Sequence, residues 1–139
     1  MVKKTASKKK LLQNLDKVFS NFIRMKYANK DGIAACYTCG KEAHWSQLYC
    51  GHFQSRKHRN TRFDVDNCRV QCARCNIFDH GQQFRFGIHL EEERQGLAFD
   101  VERRARIRRS MSVQEYIHLA RYYDKACKVE QLRIRSSHE

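Results

Sequence analysis

Residues 36–76 read CYTCGKEAHWSQLYCGHFQSRKHRNTRFDVDNCRVQCARCN, and this stretch decides the fold. It opens on Cys36-x-x-Cys39 and closes on Cys72-x-x-Cys75. A Cys-x-x-Cys knuckle brings two thiolates to one side of a tight turn, and two knuckles complete a tetrahedral set of four sulfurs suited to Zn²⁺. Such a closed set leaves no position for substrate, so Cys36, Cys39, Cys72 and Cys75 are read as a structural zinc site tying the chain near residue 37 to the chain near residue 73. Gly40 after Cys39 supplies the tight reversal, because glycine tolerates positive φ. Cys50 and Cys68 compete as ligands, but single cysteines lack the knuckle geometry and read as core or substitute thiols. Seven cysteines without a secretory pattern ahead of them suit a reducing cytoplasm and metal ligation better than a disulfide framework.

Around the knuckles the pattern is of short strands and turns. Residues 34–37 lead into the first pair, 45–53 lean towards β structure and end at Gly51-His52, and 66–71 form a short strand delivering the second pair. Residues 54–62 carry four Lys and Arg and no acid, and read as an exposed loop. Outward from this centre the pattern turns helical. Leu11, Leu15, Val18, Phe19, Phe22 and Ile23 recur at three and four residues and predict an amphipathic helix over about 8–28. Phe84 with Ile88 and Phe86 with Leu90 mark another, with Gly96 as its stop. Ser112-x-x-Glu115 is a capping-box signature, and Val113, Tyr116, Ile117, Ala120, Tyr123 and Cys127 make the stripe of a closing helix. The expected architecture is α+β: a flexible basic tail over 1–10, then one domain over 11–135 with a small β–metal core flanked by N- and C-terminal helices.

The chain has 139 residues and a formal charge of +13, a balance that points to a polyanion, with nucleic acid ahead of a membrane surface. Nowhere do roughly 18 apolar residues run together as a membrane span requires. The charge is gathered in three places: the N-terminal lysines, the group Arg56, Lys57, His58, Arg59 and Arg62, and the group Arg103, Arg104, Arg106, Arg108 and Arg109. Each alone could be a solvated face. Together they suggest a DNA footprint, with Arg56 and Arg59 the best phosphate clamps because a guanidinium grips phosphate in bidentate fashion.

His52, Asn67, Asn76 and His80 form a second constellation. A strand end can hold an imidazole rigidly in a cleft, where its neutral form deprotonates water near pH 7. His80 follows Asn76 by four residues and would share a helix face with it. A hard Mg²⁺ or Mn²⁺ on oxygen ligands could steady charge on a phosphodiester's leaving oxygen. A histidine in a polar segment also suits a plain surface role.

Cys36-x-x-Cys39, Cys50-Gly51-His52-Phe53-x-x-Arg56, Asn67 and Gln71-Cys72-x-x-Cys75-Asn76 together resemble the NinG/Rap family of lambdoid phages, recombination proteins with an HNH (ββα-metal) nuclease core. The segment Leu15-Asp16-x-Val18-Phe19-Ser20-x-Phe22-Ile23-Arg24 is similar to that family's N-terminal helix, and the Cys-x-x-Cys-Asn ending is similar to HNH enzymes of the recombination endonuclease VII type. The resemblance implies a ββα-metal core with two zinc knuckles. It implies His52 as general base, Asn67 as the middle asparagine that pins a loop, and Asn76 as ligand of a catalytic Mg²⁺ or Mn²⁺. The implied activity is cleavage of branched DNA, such as Holliday junctions and D-loops, in the host cytoplasm, leaving 5′-phosphate and 3′-hydroxyl ends. Gly51 departs from the many HNH nucleases that place Asp or His there as a second metal ligand. His80 is the first substitute, then Asp79, with Asp64 and Asp66 further off. Two rivals stand beside this reading: a zinc-stabilised module that binds branched DNA without cutting, and a single-strand binder stacking bases on Tyr37, Trp45, Tyr49 and Phe53. Paired cuts at a junction suggest a homodimer, with either terminal helix as its interface.

Overall fold

The computed structural model describes residues 7–135. Helix α1 (Lys8–Lys26) begins where Ser7 accepts a hydrogen bond from the Lys10 backbone N–H at 3.2 Å, satisfying one of the N–H groups a helix start leaves unpaired. Lys8, Lys9 and Lys10, expected in a flexible tail, are therefore its first turn; Lys3 and Lys4 lie outside the described residues. The predicted stripe is the buried one, with Leu15, Phe19 and Ile23 each at most 1% exposed. Burying such a side chain contributes about 1.5–3 kcal/mol.

Two antiparallel ribbons follow. Strands β1 (Ile33–Ala35) and β2 (Glu42–His44) pair through Ala34 opposite Ala43 and bracket the first knuckle. Strands β3 (Tyr49–His52) and β4 (Cys68–Gln71) pair with Cys50 opposite Val70, Gly51 opposite Arg69 and His52 opposite Cys68. Between β3 and β4 the chain makes a one-turn helix, α2 (Arg59–Arg62). The stretch expected to be an exposed loop is thus half loop and half packed turn, since Thr61 is fully buried.

After β4 the chain makes one wide turn, Arg74–Phe78, closed by the Asp79 N–H donating to the Arg74 carbonyl at 2.8 Å. Helices α3 (Gln83–Glu93) and α4 (Leu97–Ala105) then pack on each other through Phe86, Leu90, Leu97 and Val101, with Gly96 at φ 89° between them. The closing helix α5 (Val113–Arg135) starts at the predicted capping box. The Ser112 N–H donates to Glu115 Oε2 at 2.8 Å, and the Glu115 N–H donates to Ser112 Oγ at 3.2 Å.

Helices α1 and α5 lie together, with Phe19 edge-on to Tyr123 at 4.9 Å between ring centroids. Their buried faces are spent on each other within one chain and on Cys68 beneath them. A second cluster, Ala28, Ala34, Leu48 and Val70, surrounds the cysteine knuckles. The fold is α+β, with helices outside and two small ribbons within. Among the described residues no helix is long and apolar enough to cross a membrane.

Candidate metal centre and adjoining cleft

The knuckles converge as their spacing predicts. The sulfurs of Cys36, Cys39, Cys72 and Cys75 all lie within 4.8 Å of one another, and Cys39 Sγ is 3.7 Å from Cys72 Sγ. Zinc–sulfur bonds of about 2.3 Å in a tetrahedron require sulfur–sulfur edges of about 3.8 Å, so the four thiols fit Zn²⁺ with little adjustment. Gly40 at φ 82° lets its N–H reach the Cys36 carbonyl at 2.8 Å, turning the first knuckle.

Hydrogen bonds support the centre from outside. Gln71 Nε2 donates to Thr38 Oγ1 at 3.0 Å, and Thr38 Oγ1 lies 3.5 Å from Cys36 Sγ. Burial pushes the Cys36 thiol up, but the Thr38 hydroxyl and the surrounding backbone N–H groups outweigh it and bring it down to about 6. Burial, then the neighbouring thiols, push Cys75 up to about 12. The Cys36 sulfur thus gives up its proton to a metal more readily than those of Cys39 and Cys75, which burial pushes up.

His52, at the end of β3, is held by a second set of contacts. Its Nε2 lies 2.9 Å from the Arg62 carbonyl oxygen. A carbonyl only accepts, so Nε2 carries the proton and Nδ1 keeps its lone pair. Burial lowers the imidazole below its ordinary value of 6.5; the Arg62 carbonyl opposes this, and Arg56 adds to it. A neutral ring with a free Nδ1 is the state that can take a proton from water.

Asn67, fully buried, ties the loop after His52 in place. Its Oδ1 accepts from the Gln54 N–H at 2.7 Å, and its Nδ2 donates to the Gln54 and Thr61 carbonyls at 2.9 and 3.0 Å. Thr61 directly precedes Arg62, whose carbonyl accepts the hydrogen bond from His52 Nε2–H.

A cleft of about 420 Å³ joins His52, Asn76, His80 and Arg56, with Asp16, Ser20, Tyr49, Cys50 and Gln83 on its walls. Three residues separated along the chain from His52 therefore meet it in one cleft. They do so by a different route from the expected helix face. Asn76 lies in the wide turn, and His80 beyond it adopts φ 53°, outside any helix. Asp79 is bound by Gln82 and lies 3.7 Å from Arg74. Asp64 and Asp66 are both drawn to Arg104, at 2.5 and 3.0 Å.

Gly51 has a local reason to lack a side chain. A Cβ there would fall 2.0 Å from Gln71 Oε1, and the Gln71 amide is anchored by Thr38 and by the Gly81 carbonyl at 2.9 Å. The strand position before the histidine is closed to a metal ligand by Gln71.

The basic groups divide. Arg56 is exposed and lines the cleft; Lys57 and, despite its bond to Asp100, Arg103 on α4 are exposed elsewhere on the surface. Arg62, expected as a phosphate contact, is held by Asp16 through Nε at 3.0 Å and Nη2 at 2.5 Å and is largely buried. Arg104 is neutralised by Asp64 and Asp66, and Arg59 donates to the Tyr116 hydroxyl at 2.9 Å. These three brace the fold. Of the aromatics considered for base stacking, Tyr37, Phe53 and Trp45 are partly buried against the core, whereas Tyr49 is exposed on the cleft wall.

Asp16 is the cleft residue that sequence reasoning passed over. Its signal was available: it is the sole acid among residues 1–30 and adjoins the buried Leu15.

Four converging thiols that could hold zinc, on an α+β scaffold beside a cleft built round a pinned histidine, define a protein with paired cysteine knuckles. The family model of the bacteriophage lambda NinG protein matches residues 1–132, and the chain belongs to that family. Membership implies a role related to phage recombination. Among curated proteins nothing matches the chain, and among solved structures nothing does.

Proposed function

We propose that the chain is a metal-dependent DNA endonuclease of the HNH type acting on branched recombination intermediates in the host cytoplasm. The observation that carries this reading is the pinned, neutral His52 opening on a cleft shared with Asn76, His80 and Arg56. The order of β3, β4 and the following turn and helix, with the histidine at the first strand's end, is what a ββα-metal core would require.

In this mechanism His52 Nδ1 takes a proton from water, and the resulting hydroxide attacks phosphorus in line. The 3′-oxygen leaves, giving 5′-phosphate and 3′-hydroxyl ends. Arg56, exposed at the cleft mouth, holds the scissile phosphate. Asn76, whose amide oxygen suits a hard ion, would hold Mg²⁺ or Mn²⁺ with His80 as its second ligand, and the ion when bound supplies charge neutralisation at the leaving oxygen. Asp16 fixes Arg62 and so the carbonyl that orients His52. Paired cuts at a junction call for two copies; because the buried faces of α1 and α5 are used within the chain, an interface would have to use outward residues such as Tyr122, Val129 and Leu132.

The second reading, a DNA-binding module that does not cut, is favoured by the closure of position 51 and the short set of hard ligands. A Mn²⁺ titration of cleavage separates them. His52→Ala should abolish scission at every Mn²⁺ concentration while leaving DNA binding within twofold. Asn76→Ala should raise the Mn²⁺ needed for half-maximal rate at least tenfold. Retained cleavage in His52→Ala would remove the histidine from the chemistry.

A further inference from the structure

Cys50, His52 and Cys68 bring one ligand atom each within 4.8 Å of the other two, a limit that the four knuckle cysteines also meet. The sheet register explains the meeting. Cys50 and His52 are two apart on β3 and so share a face, and Cys68 sits directly opposite His52 on β4. Neither cysteine belongs to a knuckle.

We propose that Cys50, His52 and Cys68 form a second, soft-metal site that takes Zn²⁺ with two thiolates and one imidazole, and that Zn²⁺ bound there silences His52.

Each part of the geometry supports a metal. Two sulfurs and an imidazole select Zn²⁺ over Mg²⁺, which prefers oxygen. Three protein ligands leave the fourth tetrahedral position for water. The His52 ring already makes the outer contact typical of a ligating imidazole, its Nε2–H donating to the Arg62 carbonyl. That leaves Nδ1 as the atom free to bind. Cys50 and His52 both line the cleft, which gives an ion a way in. Cys68 lies fully buried against Leu15, Phe19 and Ile23, so the inner side of the site is dry. Binding converts protonated thiols to thiolates and releases their protons to solvent, so affinity rises with pH.

The silencing rests on the nuclease reading, because the lone pair that binds Zn²⁺ is the one that would accept a proton from water. The binding does not rest on it. The test is therefore an ion count. The chain carrying its knuckle zinc is titrated with Co²⁺, total metal per chain is measured by mass spectrometry, and the visible and thiolate charge-transfer bands are followed. With excess Mg²⁺ present to occupy the Asn76–His80 site, wild type should hold two Zn²⁺ or Co²⁺ ions per chain at saturation. Cys50→Ser and His52→Ala, both at half-buried positions, should hold one and lose the added bands, while Cys127→Ser should still hold two. Cys68→Ala repeats the test from the buried side if it folds. One ion per chain in wild type, or two in both Cys50→Ser and His52→Ala, overturns the site. In parallel, micromolar Zn²⁺ should suppress Mg²⁺-dependent scission of a four-way junction at least tenfold in wild type and far less in Cys50→Ser. Absence of scission in every arm would count against the nuclease reading and leave the ion count to decide this site.

Discussion

Asn67→Ala tests how the loop behind His52 is held. The substitution removes three hydrogen bonds at once: one from the Gln54 N–H and one each to the carbonyls of Gln54 and Thr61. Gln54 is partly exposed, so water can take up its two groups, and losing those bonds costs about 1 kcal/mol. Thr61 is fully buried, and its stranded carbonyl costs about 1–3 kcal/mol. With the cavity left by the amide, the sum is about 3–4 kcal/mol, a large share of the roughly 5–15 kcal/mol that stabilises a domain. Asn67→Asp is the sharper control. It keeps the acceptor for the Gln54 N–H but loses both donations and faces two carbonyls with a carboxylate, so it should be at least as damaging at pH 7. Urea unfolding gives the stability change, and amide exchange should show faster opening at Gln54 and Asn60–Phe63 than in α5. A loss below about 0.5 kcal/mol, the range of ordinary surface substitutions, would refute the claim that Asn67 is the tie.

Other consequences follow from the same contacts. Cys72→Ser, or chelation of the knuckle metal, should abolish the cooperative unfolding transition, since structural zinc contributes about 10–16 kcal/mol; Cys127→Ser, which loses one weak bond to the Val18 carbonyl at 3.5 Å, should cost about 1 kcal/mol. Gly51→Ala should destabilise by at least the 1–3 kcal/mol typical of overpacking, and Gln71→Ser added to it should recover part of that loss in urea melts; no recovery would mean Gln71 is not the obstacle. His52 should make stability pH-dependent in a definite sense. Its folded value lies below 6.5, so the unfolded chain takes up the proton first, and the contribution present above about pH 6.5 is lost as pH falls through the folded value. The difference in melting temperature between pH 7.5 and pH 5 should accordingly be smaller in His52→Ala than in wild type.

The sequence reading succeeded where a short spacing carries the chemistry. Two Cys-x-x-Cys pairs need only a tight turn each and a sheet to bring them together, and Ser112 with Glu115 forms its capping box within one helical turn. The stripe of α1 is likewise a local period. What escaped were meetings set by tertiary packing. Asp16 meets Arg62 across 46 residues, and Arg104 meets Asp64 across 40, so two arginines read from the sequence as DNA contacts are tied to acids within the fold. The wide turn after Cys75 has no periodic signal, which is why Asn76 and His80 were expected on one helix face. They reach the cleft instead through a turn and a left-handed residue. Cys50 and Cys68 looked like stray thiols because only the β3–β4 register sets them beside His52.

The central claim is that the His52 cleft cuts branched DNA with a hard divalent ion. Equal amounts of four-way junction, D-loop and linear duplex, incubated with wild type and His52→Ala in Mg²⁺, in Mn²⁺ and in EDTA, test it most directly. The account predicts scission that favours branched DNA, stops in EDTA and is lost in His52→Ala. Tight binding of all three substrates by wild type without a cut in either ion would contradict it and leave a recognition module in its place.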